Sequence, residues 1–208
     1  GQIDLGKLSL NNVSSISLSL GMDNIFQPAR NLASIALLNI ETKSPIFSDQ
    51  SYRGEVSMQT GSFGLLSSAF NYVQKISNKI VLTANADAQR ADGRFSFDQD
   101  TGDGIATRKR INNDIKAYRG EANVYVNLSH SDELKAKIYY YNSNRGVPGP
   151  TILYNDYSTD RMKNRNGFGQ LGYKHSFSTR FDYKILAKYD YDYMSFSRVH
   201  HSYENGIL

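Results

Sequence analysis

The side chains in this sequence best suited to chemistry on their own are the carboxylates of "DQDTGDG", Asp98 to Gly104. Asp98, Asp100 and Asp103 offer hard oxygen donors close together, and Gly102 and Gly104 permit a tight bend, which is the donor set calcium favours. The closing glutamate of an EF-hand is absent and no helical pattern flanks the stretch, so a solvated polar loop explains the same residues. Other candidates fail on spacing. "GSFG" (Gly61 to Gly64) is not the G-x-S-x-G of a nucleophile elbow, and "RGVPGP" (Arg145 to Pro150) lacks the Lys and Ser/Thr that follow a phosphate loop. His200 and His201 are adjacent, so on a strand they would point to opposite faces and read as ordinary loop histidines. There is no Cys, hence no disulfide framework and no thiolate metal site. Nothing in these residues points to an enzyme.

A second kind of chemistry, the recognition of a solute, depends on the elements that carry the polar and aromatic side chains. From Phe181 the sequence reads "FDYKILAKYDYDYMSF". Phe181, Tyr183, Ile185, Ala187, Tyr189, Tyr191 and Tyr193 alternate with Asp182, Lys184, Leu186, Lys188, Asp190 and Asp192. Period two is the strand period, so this is one long two-faced strand. It runs about twice the 5–6 residues of an ordinary strand. Similar segments are expected at Tyr52–Thr60, Leu65–Lys75, Lys79–Gln89, Tyr118–Leu128, Leu134–Asn142 and Gly167–His175. The connections after the first hairpin read short ("KISNK"), long (through "ADGRFSFDQDTGDGIATRKRINND"), short ("SHSDE"), long (through "SNRGVPGPTILYNDYSTDRMKN") and short ("SFST").

Short turns at one end and long loops at the other are the asymmetry of an outer-membrane barrel, and strands of about ten residues suit a tilted crossing of the hydrocarbon core. The composition allows it. No apolar run approaches the roughly 20 residues of a spanning helix, yet barrel strands show only half their residues to lipid, so a mean hydropathy of −0.51 is no obstacle. The 15 Tyr and 10 Phe supply interfacial aromatics. The formal charge of +4 is mild and its basic residues are spread out, so no nucleic-acid partner is expected. The expected fold is all-β: about seven antiparallel strands of a transmembrane barrel. By this reading Ile80, Leu82, Val124, Val126, Ile138, Ile185 and Tyr189 face lipid. Asn85, Asp87, Arg119, Glu121, Asn123, Tyr139, Tyr141, Asp190 and Asp192 line the lumen toward its outer end, because short turns are periplasmic. A soluble antiparallel sandwich is the plain alternative, since it too alternates.

The first residues differ. "LNNVSSISLSLG" and the apolar cluster from Leu32 to Ile40 read as short strands of a compact piece, and "SPIFSDQ" (Ser44 to Gln50) as a linker. "VSSISLSLG" followed by "ASIALLNIETK" resembles the end of the plug of TonB-dependent outer-membrane receptors, with Ala36 to Lys43 in the position of the closing "GVINIxTK"-like strand and Ala and Leu where glycine is common. "IFQPARNLAS" (Ile25 to Ser34), "RINNDIKAYRGEANV" (Arg110 to Val124) and "YYYNSNRGVPGP" (Tyr139 to Pro150) resemble the cobalamin-receptor branch of that family. The resemblance spans essentially the whole chain. It implies that residues 1–47 are the C-terminal part of a plug domain and 48–208 the first barrel strands with their extracellular loops, a fragment of a larger receptor. It further implies active transport of cobalamin coupled through TonB, whose contact segment would lie outside this chain, with a surface lipoprotein as a further partner. Ligand contacts are expected from Phe26 and Gln27 of the plug segment and from Asp87, Tyr139, Tyr141 and Asp190. The resemblance also favours structural calcium in the loop 93–113, held by Asp98, Asp100 and Asp103. A receptor of the same architecture for an iron chelate or haem, and a non-transporting adhesive or structural β-module, remain open as alternatives.

Overall fold

The structure, a computed structural model, describes residues 13–20, 36–42, 51–150, 158–178 and 181–198. It is nearly all β. Among the described residues eleven strands run in chain order: β1 (Val13–Leu20), β2 (Ala36–Thr42), β3 (Tyr52–Gly61), β4 (Leu65–Lys75), β5 (Ile80–Ala91), β6 (Ser96–Asp100), β7 (Ile105–Lys109), β8 (Ile115–Asn127), β9 (Asp132–Gly146), β10 (Arg161–Ser178) and β11 (Phe181–Ser197). Among the described residues the only helical element is one 3-10 turn, Ser62–Gly64, and no helix is long and apolar enough to cross a membrane.

Seven strands form one antiparallel sheet in the order β11-β10-β9-β8-β5-β4-β3. Except for the β6–β7 hairpin inserted between β5 and β8, each strand pairs with its neighbour in sequence, the up-and-down arrangement that short turns dictate. The turns close tightly: Ile76 N–H donates to the Ile80 carbonyl (2.9 Å), and Leu128 N–H to that of Asp132 (3.0 Å). Strands β1 and β2 pair separately, with Ile16 opposite Ile40 and Leu18 opposite Leu38. The linker 44–50 lies outside the described residues.

Register decides what the faces carry. Leu82 pairs with Val124, which pairs with Ala136, then Leu171, then Ala187. One step further, Ala84 is joined through Ala122, Ile138 and Gly169 to Tyr189. Directly opposed residues share a face, so the seven residues expected to face lipid do lie on one face. The alternate rows are polar. Asn85 is joined through Glu121, Tyr139 and Phe168 to Asp190, and Asp87 through Arg119, Tyr141 and Asn166 to Asp192.

Burial is distributed the wrong way round for a soluble sheet. The most buried side chains of the large sheet, Ala69, Val81, Thr83, Ala117, Asn123, Tyr141, Ser143 and Asn164, all lie on the polar face. The apolar face is open: Ile138 is 65% and Tyr189 75% exposed. Aromatic rings gather at both ends of that open face. Toward the short turns Tyr173, His175, Phe177, Phe181 and Tyr183 form a cluster, with His175 and Phe177 centroids 4.3 Å apart. Asp132 Oδ1 ties it down by accepting from the Tyr173 hydroxyl at 2.6 Å and contacting His175 Nδ1 at 2.6 Å. Toward the long loops Tyr118 and Tyr140 lie 6.5 Å apart, and Asn142 Nδ2 donates to the Tyr118 hydroxyl at 2.8 Å. Tyr140 is flanked across the strands by Gly120 and Gly167, which leave its ring room to lie along the sheet. Among the described residues β3 and β11 each have one unpaired edge, and no closed barrel is formed.

Candidate functional site

The polar face concentrates its functional groups where β5, β8, β9, β10 and β11 run side by side. Arg119 and Asp87, opposed on β8 and β5, bring Nε and Oδ1 to 2.9 Å. Their alignment is that of an ion pair by distance rather than a straight hydrogen bond, for Arg119 Nε and Nη1 are both buried without a hydrogen-bond partner. The Arg119 side chain keeps only 9% of its exposure, and its guanidinium lies 5.9 Å from the Tyr141 ring centroid. Next along the strands, Tyr139 and Phe168 stack at 5.0 Å with 19° between their planes. Lys188 Nζ sits 4.4 Å and Lys137 Nζ 5.9 Å from the Phe168 centroid, cation–π contacts that hold both ammonium groups against the ring. Each lysine also has a carboxylate: Lys137 pairs with Glu121 at 3.0 Å and Lys188 with Asp190 at 2.9 Å. Asn123 Nδ2 donates to Thr83 Oγ1 (2.9 Å) and to Glu121 Oε1 (3.0 Å).

The structure therefore brings Asp87, Tyr139, Tyr141 and Asp190 together on one face. Phe26 and Gln27 lie outside the described residues. The lumen residues expected from alternation did not include Phe168 or Asn166, which register places on the rows of Tyr139 and Tyr141, nor Lys188, one row away opposite Gln170. A signal for Phe168 was present: in "NGFGQ" it stands between glycines with the parity opposite to Leu171 and Tyr173.

The stretch from 91 to 114, expected as a long irregular loop, contains the hairpin β6–β7. Asp98 Oδ1 accepts from Thr107 Oγ1 (2.8 Å), and Asp100 Oδ1 accepts from the Gly102 N–H (2.9 Å). These two carboxylates serve the hairpin and its turn. Asp103 stands in the turn, where Gly102 and Gly104 adopt positive φ. As placed, the three do not form a calcium cage, and among the described residues no group of acidic and histidine side chains is gathered to hold a metal ion.

Above the long-loop end of the strands a second polar cluster ties the two long loops together. Arg161, at the start of β10, donates to both oxygens of Asp114 (2.8 and 3.0 Å) and to Asn144 Oδ1 (3.1 Å from Nε). Asn112 Nδ2 donates to the Asp160 carbonyl at 2.9 Å, and Arg110 Nη2 to the Pro148 carbonyl at 3.3 Å. The hydrogen bonds from Arg161 hold the Asp114 carboxyl below the usual carboxylate range, against a smaller opposing effect of desolvation. The loop after β5 and the loop after β9 thus leave the sheet from one shared base.

No protein-family model matches the chain, and no curated protein matches it in sequence.

Proposed function

We propose that this chain is part of an outer-membrane β-barrel receptor that takes up a large, scarce solute, with cobalamin the solute that its sequence resemblance favours. The observation that carries the reading is the inverted distribution of burial. An apolar face that stays open, bounded at both ends by aromatic rings, is what a strand facing hydrocarbon requires. Tyr183 and Tyr191 are eight residues apart on β11, which at about 3.4 Å per residue is roughly 27 Å along the strand. Tilt of about 40° brings this to roughly 20 Å of height, near the span of a barrel's apolar band. Lipid offers no hydrogen bonds, so the free edges of β3 and β11 must be paired by further strands to close the barrel.

The polar face then lines a lumen. The loops that share the Arg161 base open toward the outside, where solute is captured. The Tyr139–Phe168 and Arg119–Tyr141 groups lie below them and receive it. In the family resembled, a plug blocks the lumen and energy coupled through TonB moves it. Residues 13–20 and 36–42 would belong to that plug. The chain acts by binding and passage, without covalent chemistry.

The test is a binding panel on the full-length receptor in detergent: cobalamin, haem and a ferric catecholate, by equilibrium dialysis. Saturable submicromolar binding of cobalamin supports the reading. Binding of haem or the iron chelate alone replaces the solute and keeps the receptor; a soluble, lipid-free protein that binds none of them overturns it.

A further inference from the structure

Besides Arg119 Nε, which faces the Asp87 carboxylate at 2.9 Å, three polar atoms on two neighbouring rows of the inner face are buried without hydrogen-bond partners: Asn85 Nδ2, Arg119 Nη1 and Asn166 Oδ1. Such atoms are costly when nothing satisfies them, so an array of them on one face calls for a complement. Asn85 and Arg119 are diagonal neighbours on β5 and β8, within reach of one another. Both orphans there are donors and ask for an oxygen acceptor. The third is an acceptor whose orientation is set, because Asn166 spends its own amide nitrogen on Asp192 Oδ1. It asks for a donor.

The charge around them selects among acceptors. Arg119 already has Asp87 beside it, and over the three rows from Glu55, Ser57 and Arg53 across to β11 the carboxylates outnumber the cations by one. Lys137 and Lys188 are each held by a carboxylate and by the Phe168 ring. A carboxylate or phosphate entering this surface would meet Asp87, Glu121, Asp190 and Asp192, which the fewer cations of these rows do not fully offset. A neutral carboxamide meets no such repulsion. Its carbonyl oxygen accepts from donors such as Arg119 Nη1 and Asn85 Nδ2, and its N–H groups suit an acceptor such as Asn166 Oδ1.

We propose that Arg119, with Asn85 and Asn166, is the specificity-determining group of the lumen, selecting solutes that present uncharged carboxamides beside the Tyr139–Phe168 stack and rejecting anionic ones. The proposal rests on the receptor reading above. A peptide group of the plug offers the same chemistry, and the assay separates the two sources.

The experiment titrates the full-length receptor in detergent with cobalamin, with a cobalamin monocarboxylate in which one side-chain amide has been hydrolysed, with haem and with a ferric catecholate. Thermal melts are recorded in parallel. Arg119→Gln and Asn85→Ala are each expected to weaken cobalamin binding roughly tenfold, with melting temperature held within about 2 °C. The monocarboxylate is expected to bind the native receptor more weakly than the full amide. If cobalamin binds the native receptor and both variants equally well, or if the variants lower the melting temperature and leave affinity alone, the orphans belong to the plug and the site assignment fails while the receptor reading stands. Binding of haem or the catecholate alone overturns the preference for neutral solutes. A folded receptor that binds none of the four removes the reading on which the proposal rests.

Discussion

Single residues at the loop base combine a steric and an electrostatic lock. A Cβ on Gly146 would come within 2.3 Å of the Asn112 carbonyl oxygen, a backbone atom that cannot swing aside. Gly146→Ala should therefore push the two loops apart and destabilise their junction by about 1–3 kcal/mol. Raised hydrogen exchange across 110–114 and 158–162, with the strand centres unchanged, is the expected reading; unchanged exchange at both would disprove the lock. The electrostatic half is pH-dependent. Arg161 holds the Asp114 carboxyl below its ordinary value, so the folded base favours the charged form. The stabilisation is complete above the unfolded value of about 3.9 and is lost as pH falls through the lowered folded value. A nitroxide at Lys109→Cys should stay restricted from pH 7 down to about 5 and gain mobility below about 4. Asp114→Asn should show the mobile spectrum throughout. A wild-type spectrum that changes near neutrality instead would assign the transition to another group.

At the level of the strand, the decisive question is what the open apolar face of β8 to β11 meets. Ile138 is the sharpest place to ask, because it is 65% exposed and stands mid-strand between Ala122 and Gly169. On a soluble protein Ile138→Lys at so exposed a position would change stability by at most about 0.5 kcal/mol. Facing hydrocarbon, the same change should cost about 2–4 kcal/mol. Reversible unfolding of the full-length protein in lipid vesicles distinguishes the two, and a near-zero cost would refute the lipid-facing assignment. The strands show why some of the architecture was legible in sequence and some was not. Between Leu134 and Tyr141 an apolar face and a polar face alternate strictly, so the pattern exposes both the strand and its sidedness. From Asn142 to Gly146 both faces are polar, and from Arg161 to Asn166 Met162 is the one apolar side chain. Pairing continues there through backbone hydrogen bonds that leave no trace in hydropathy, and β9 and β10 run longer than alternation alone indicated. The β6–β7 hairpin was hidden for the same reason: its strands have five residues each, and little of either face is apolar. The candidate site was half legible. Parity put Tyr139, Tyr141, Asp87 and Asp190 on one face, but the rows joining them to Phe168 and Asn166 depend on register, which sequence spacing across a long loop does not define.

For the molecule as a whole, faces and edges make one physical statement. Among the described residues, the large sheet exposes an apolar surface on one side and leaves the backbone groups of β3 and β11 unpaired along its borders. Water tolerates neither well: open edges recruit other chains, and a broad apolar surface drives association. The exposed side chains along β11 include Ile185, Tyr189, Tyr191 and Tyr193, so its free edge and its apolar face coincide on the same strand. In a lipid-facing barrel this surface would be covered by acyl chains and both edges by further strands. The 208-residue chain expressed alone should accordingly leave the soluble fraction and collect as aggregates in detergent-free buffer. Detergent should disperse it by covering the apolar face, yet the unpaired edges should still give broad, multiple species on size-exclusion chromatography. Strands flanking β3 and β11, supplied within the full-length protein, should convert these to one compact species that migrates faster on a denaturing gel before boiling than after it, as closed barrels do because their edges are satisfied. A monodisperse, detergent-free monomer of the 208-residue chain would instead mean that the apolar face has a protein core to rest on, and the lipid assignment would fall with it.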